Sequence, residues 1–302
     1  SVNVRGSRSE ATDYYVDGVK VRGSLALPQS AIEQITVMSS GLSAMYGDAT
    51  GGIISVTSKG PSNQLYGGAE VVSSHIFDDY NYGLLGFGLS GPIFKEIKSD
   101  GSKGRAILGY FLAGEFRNID DNSPSAVGVW KIKDDRLDDL KNNLFVAVPN
   151  QQSSSIGLLS NATFLRADDF ENVQAKMNTN SSGFNLSGKL DFKPTLKTNL
   201  TIGGAVSHSV DHPFVYTYSL LNWHNNSEEE RNTWRTYARF TQRFGAQEGD
   251  EESASNIKNA YYNITVDYTK NDFERRNPNH GKDLFRYGHV GKFNTYKDRF
   301  FS

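Results

Sequence analysis

A repeated period of two restricts this chain more than any other feature. In Phe184, Leu186, Gly188, Leu190 and Phe192 alternate positions are apolar or glycine, while Asn185, Ser187, Lys189, Asp191 and Lys193 between them are polar. Successive side chains of a strand point to opposite faces, so such a segment has one apolar and one wet face; a helix would scatter both sets. The same alternation sets Leu200, Ile202 and Val206 against Thr201, Ser207 and Ser209, and Tyr262, Ile264, Val266 and Tyr268 against Asn263, Thr265, Asp267 and Thr269. Leu108, Tyr110, Leu112 and Phe116 stand in the same relation to Gly109, Ala113, Glu115 and Arg117. Seven strands are predicted, near 62–75, 80–90, 106–117, 183–193, 198–210, 233–244 and 258–270.

If those strands alternate in direction, their connections sort by length. The segments 91–105, 194–197 and 245–257 lie at one end, and the longer 118–182, 211–232 and 271 onward lie at the other. Outer-membrane barrels have short turns on one side and long loops on the other, whereas a soluble sandwich has no reason to sort them. No window approaches the roughly 18 apolar residues of a membrane helix, but barrel strands keep a low average hydropathy because only one face is apolar. The 29 Gly, 15 Tyr and 18 Phe suit a β-rich chain with aromatic girdles. The expected fold is therefore mainly β: a transmembrane antiparallel β-barrel, represented by about seven strands.

Composition removes several functions. Across 302 residues there is no cysteine, which excludes disulfides and thiolate metal sites. The formal net charge of -2 lacks the basic excess of a nucleic-acid-binding domain. The N-terminus has no basic and apolar leader, so an export signal is expected upstream or already removed.

Residues 1–60 have another character. Tyr14-Tyr15-Val16, the turn pair Asp17-Gly18 and Val19-Lys20-Val21 predict a hairpin. Pro28 opens a helical turn over 28–33 that leads into a strand from Gln34 to Met38. A second short turn is expected at Ser43–Tyr46, then a strand from Ile53 to Ser58. Gly47, Gly51 and Gly52 provide close backbone approach or positive φ between them.

Four motifs then carry a resemblance: Arg5-Gly6-Ser7-Arg8, Tyr14 to Val21, Leu27 to Met38, and Ala44 to Pro61. In that order and spacing the chain resembles the C-terminal half of the plug domain of TonB-dependent outer-membrane receptors. The resemblance implies a small mixed α/β plug over 1–60 and the N-terminal part of a transmembrane barrel over 61–302, in the outer membrane of a Gram-negative bacterium. It implies an import receptor and not an enzyme, without cofactor or metal. TonB would act through a segment upstream, energised by the inner-membrane complex, on a plug surrounded by barrel and outer-membrane lipid. Because a lumen that holds a plug takes about 22 strands, seven leave the barrel incomplete. The first barrel strand rises from the periplasm in this family, which makes the long connections extracellular.

By position in the motifs, Ser9, Glu10, Ser24, Leu25 and Ala26 correspond to apical plug loops that touch an extracellular ligand, with Arg22 beside them. Arg5 corresponds to the arginine at the plug-barrel boundary that pairs with barrel carboxylates. Phe214, Tyr216, Tyr218 and Trp223 read first as loop-packing or girdle residues. The stretch Tyr287 to Phe293 resembles large receptors with a carboxypeptidase-regulatory-like N-terminal domain. The 44–61 motif departs from SusC-like glycan importers, so a surface lipoprotein partner is open but not favoured. The alternative is a receptor-like barrel with a structural or secretion-associated role.

Three tempting patterns fail on context. Gly86, Gly88 and Gly91 match a dinucleotide-binding spacing but sit inside an alternating strand before Pro92, with no following helix. His208 and His212 have metal-ligand spacing but at a strand end. Asp134, Asp135, Asp138 and Asp139, and Glu228 to Glu230, read as solvated loop charges rather than a calcium site.

Overall fold

The computed structural model describes residues 12–21, 25, 27–41, 46, 52–149, 156–244 and 260–283. Two compact units emerge, one of Ser1–Asn122, Asn180–Val210 and Glu230–Phe273, the other of Ser123–Thr179, Asp211–Glu229 and Glu274–Ser302.

The first unit begins with a four-stranded sheet made of β1 (Thr12–Val16), β2 (Val19–Val21), β3 (Ile32–Met38) and β4 (Gly52–Ser58), in the order β2-β1-β4-β3. The predicted hairpin forms, with Val16 opposite Val19. Its two turn residues are left-handed, Asp17 at φ 49° and Gly18 at φ 78°, as a two-residue hairpin loop of this twist requires. β1 runs parallel to β4 and β3 antiparallel to it. The helical turn is a single 3-10 turn, Gln29–Ala31, entered through Pro28. Val16, Val21, Ile54 and Val56 form the core of this sheet, with Tyr14, Leu25, Leu27 and Ile32 against them. The predicted turn at 43–46 falls, except for Tyr46, outside the described residues, as do Gly47 and Gly51.

Beyond it come β5 (Tyr66–Ser73), β6 (Gly83–Ile97) and β7 (Lys103–Ile119). The second unit then contributes β8 (Val129–Ile132), α1 (Asp134–Asn142), β9 (Phe145–Pro149), β10 (Ile156–Ser160) and β11 (Phe170–Val173), paired as β8 with β11 and β9 with β10. The wall resumes with β12 (Ser181–Phe192), β13 (Thr198–Asp211), β14 (Glu228–Arg243) and β15 (Tyr261–Arg276). The seven long strands form one open sheet in the order β15-β14-β13-β12-β7-β6-β5, each predicted strand being present.

Two boundaries differ from expectation. The connection expected over 91–105 contracts to 98–102, because β6 continues past Pro92 through register shifts against β7. Such irregularities accommodate a residue with no N–H to donate. A tight turn with Gly101 at φ 79° closes the hairpin, its N–H reaching the Lys98 carbonyl at 2.9 Å. The long connection after β7 is folded into its own strands and helix, which local periodicity did not separate from loop.

Alternation sorts the wall residues as predicted. Leu85, Leu89, Leu112, Phe116, Leu190, Phe192, Ile202, Ile264 and Val266 lie exposed on one face. Phe111, Ala113, Ser187, Ala205, Arg235 and Tyr237 are buried on the other, the face that meets the small sheet.

Candidate functional site

The seat of the small sheet against the wall is built from strand parity. Odd-numbered positions of β7, β12 and β14 face inward, which brings Glu115, Lys189, Arg235 and Tyr237 to the small sheet. The Asp-Gly turn projects the Asp17 carboxylate into that face. One oxygen accepts from the Ser58 N–H at 2.9 Å; the other accepts from Ser58 Oγ at 2.6 Å and Tyr237 Oη at 2.9 Å. Lys189 Nζ stands 3.2 Å from the same carboxylate and donates to the Ser58 carbonyl, also at 3.2 Å. The Asp17 and Lys189 side chains are 8% and 11% exposed, so this is a desolvated ion pair whose remaining hydrogen-bond capacity is met by hydroxyl and backbone groups. Burial alone would raise the Asp17 carboxyl; the Lys189 ammonium and the bonds from Ser58 and Tyr237 outweigh it and hold the group below its ordinary 3.8. Gly203 makes room for the arrangement, since a Cβ there would lie 2.6 Å from the Tyr237 ring.

Three further grips follow along the chain. Arg235 Nη1 donates to the Leu25 carbonyl at 3.1 Å, and the Gln29 N–H donates to Glu115 Oε2 at 3.1 Å. Ser30 Oγ donates to the Phe87 carbonyl at 3.4 Å. Apolar contact accompanies these bonds: Ala31 packs on Phe111 and Ala113. Beside this patch a cavity of about 510 Å³ opens between Ser30, Glu33 and Lys59 of the small sheet and Gly68, Gly86 and Gly88 of the wall.

Of the candidate ligand-contacting and plug-boundary residues named from sequence, Leu25 alone is described. It packs on the core of the small sheet, and its carbonyl is the Arg235 partner. Arg5, Ser9, Glu10, Arg22, Ser24 and Ala26 lie outside the described residues. Sequence reading missed Asp17, Lys189 and Tyr237 as a group. Asp17 was accounted for as a turn residue and Lys189 as a member of a polar face, while Tyr237 lay unremarked in the predicted strand 233–244; the usable signal was a long cation and a phenol in positions that alternation turns inward.

Within the second unit, the acidic residues read as solvated are largely ion-paired. Lys131 bridges Asp134 at 3.0 Å and Glu171 at 3.1 Å, and Arg136 pairs with Asp139 and with Asp169. Burial disfavours the Lys131 ammonium, but its two carboxylates outweigh that and raise its pKa. Glu228 pairs with Arg276, and His212 lies 3.7 Å from it. Trp223 lies under Lys131 and Phe214 under Lys176, at 5.6 and 5.3 Å, whereas Tyr216 is exposed. The glycines at 86, 88 and 91 fall inside β6.

A small mixed sheet is thus seated by polar groups on one face of an antiparallel wall whose other face is apolar, the arrangement of a plug against part of a barrel wall. Residues 1–53 match the sequence model of the TonB-dependent Receptor Plug Domain family, so the N-terminal part of the chain is a plug domain of that kind, followed by the wall strands. No curated protein matches. Solved structures similar to it include a mutant of the ferric enterobactin receptor PfeA from Pseudomonas aeruginosa, at 15% identity and TM-score 0.46 over 93% of this chain and 40% of that one. The siderophore receptor PirA from Acinetobacter baumannii gives 14% and 0.46 over 91% and 39%, and PiuA from the same organism gives 16% and 0.42 over 90% and 39%. The chain thus spans about two fifths of the length of these structures.

Proposed function

We propose that the protein is an active-transport receptor that binds an extracellular ligand and imports it when energy delivered through TonB moves the plug. The observation that carries this reading is the chemistry of the seat. Among the described residues it joins a buried ion pair to hydrogen bonds with hydroxyl, carboxylate and backbone groups, contacts that water entering the lumen can replace as the plug shifts. On this reading 74–82, 120–180 and 212–227 are extracellular, and Ser9, Glu10, Arg22, Ser24, Leu25 and Ala26 belong to the plug surface beneath the ligand. Arg5 would add a plug-barrel contact to those of Asp17 and Leu25.

The test uses the buried position of Ser58, 4% exposed, and the lack of cysteine in these 302 residues. In the full-length receptor, Ser58→Cys is exposed to a membrane-impermeant maleimide in intact cells. Labelling should rise severalfold when TonB is present and the inner membrane is energised. Equal labelling with and without TonB would overturn the reading.

A further inference from the structure

At the end of the wall away from the long connections, the apolar face finishes in a level row. Phe94 of β6 stands opposite Leu108 of β7, and Leu108 opposite Phe192 of β12. β12 stops at Phe192, whereas the β6–β7 hairpin continues through Lys95 opposite Ala106 and Ile97 opposite Lys103 to the turn over 98–102. It overhangs the row by residues 103–107 of β7, roughly 16 Å of strand. The register shift between Phe94 and Lys95 turns both outward, since Leu108 and Ala106, which they face, share that side. A lysine therefore follows directly below the last aromatic, and Lys98 comes next at the turn. Arg105 holds the overhang in place: it donates to the Lys193, Thr195 and Pro194 carbonyls of the neighbouring turn at 3.0, 3.1 and 3.2 Å. The two acids of the hairpin are engaged elsewhere. Glu96 pairs with Arg105 at 3.1 Å, and Asp100 accepts from the Ser102 N–H and Oγ at 2.8 and 2.6 Å. Among the described residues no carboxylate pairs with Lys95 or Lys98.

We propose that Lys95 and Lys98 bind the phosphate headgroup of an anionic phospholipid in the periplasmic leaflet, with the upper part of an acyl chain against Phe94. Continuity names the occupant first. Phe94, Leu108 and Phe192 are the last apolar row of the face assigned to lipid, so the residues just below them lie at headgroup depth, a layer of about 5–7 Å on each side of a bilayer. With strands tilted by about 40°, Lys95 falls roughly 3 Å and Lys98 roughly 10 Å beyond the row, and long lysine stems cover the difference. Charge names it second. Two ammonium groups without a carboxylate partner meet headgroups of opposite sign, and each lysine beside such a surface is attracted to it. A zwitterionic headgroup carries as much positive charge as negative and gains little from them. The name of the leaflet rests on the import reading, in which the long connections are extracellular; the contact between lysine and headgroup does not.

The experiment uses the full-length receptor in phosphatidylcholine vesicles, with a bimane fluorophore on Ser99→Cys at the tip of the turn. Phosphatidylglycerol carrying a nitroxide at the top of its acyl chain is added in rising fraction, and its quenching is compared with that of phosphatidylcholine labelled in the same way. Phosphatidylglycerol should quench at the lower fraction. In Lys95→Gln/Lys98→Gln its half-quenching fraction should rise by on the order of tenfold, towards that of phosphatidylcholine, and each single substitution should give part of the shift. Lys95→Arg/Lys98→Arg, which keeps both charges, should quench like the parent protein. Equal quenching by the two lipids in the parent, or an unchanged preference in the Gln variant, overturns the lipid site and leaves import standing. Ser58→Cys labelling that ignores TonB overturns import and leaves this preference in place.

Discussion

The seat depends first on one carboxylate. Asp17→Asn removes the charge but keeps the shape, leaving the buried Lys189 ammonium without its counterion; removing one partner of such a pair costs about 3 kcal/mol or more. The denaturant concentration that opens the lumen in a bilayer should fall accordingly. The pH dependence has a definite sign. Because the seated carboxyl titrates below its ordinary 3.8, its contribution is complete above that value and is lost as pH falls through the lower seated value. The opening midpoint should therefore be flat, as far as this group decides it, from neutrality to about pH 5 and decline below about pH 4, with a shallower decline in the Asn variant. None of this was legible at Asp17 itself. In sequence it is the first half of a hairpin turn, and its partners lie 172 and 220 positions away in strands whose registers local pattern does not supply.

Strands were the legible scale. Alternation located all seven because lipid and lumen impose opposite demands on adjacent residues, and that demand survives without tertiary information. Ends were less legible: β6 runs on past Pro92, with β7 extended opposite it, because pairing with a neighbour can absorb an irregularity that propensity alone reads as a stop. The connection after β7 was unreadable for the opposite reason, since α1 and its flanking strands are short and follow no long periodic run. Close strand approach is a second property hidden from periodicity. A Cβ on Gly183 would come 2.5 Å from the His208 carbonyl and 3.1 Å from Ser209 Cα, both backbone atoms of β13. Gly183→Ala should therefore force β12 and β13 apart and destabilise the wall by about 1–3 kcal/mol, read as a lower unfolding midpoint of the receptor in detergent. Retained wild-type stability would show that the two strands are less tightly apposed there.

For the described wall as a whole, the division between an apolar face and a polar face is the organising fact. It makes substitution effects depend on parity rather than on residue type. Val266 lies in the middle of the apolar run Tyr262 to Tyr268 and is 69% exposed on the face assigned to lipid. Val266→Arg should weaken folding into vesicles by about 2–4 kcal/mol, whereas Thr265→Arg, one residue away on the inward face, should change it little. Equal penalties at both positions would remove the assignment of faces. The order of the plug's grips has a mechanical consequence. Asp17, Leu25, Gln29 and Ser30 follow one another along the chain and hold different strands: β12 and β14, then β14, β7 and β6. A tension transmitted along this segment loads them in series, so they yield one after another at low force, like the teeth of a zip. The same contacts loaded in parallel would have to shear together.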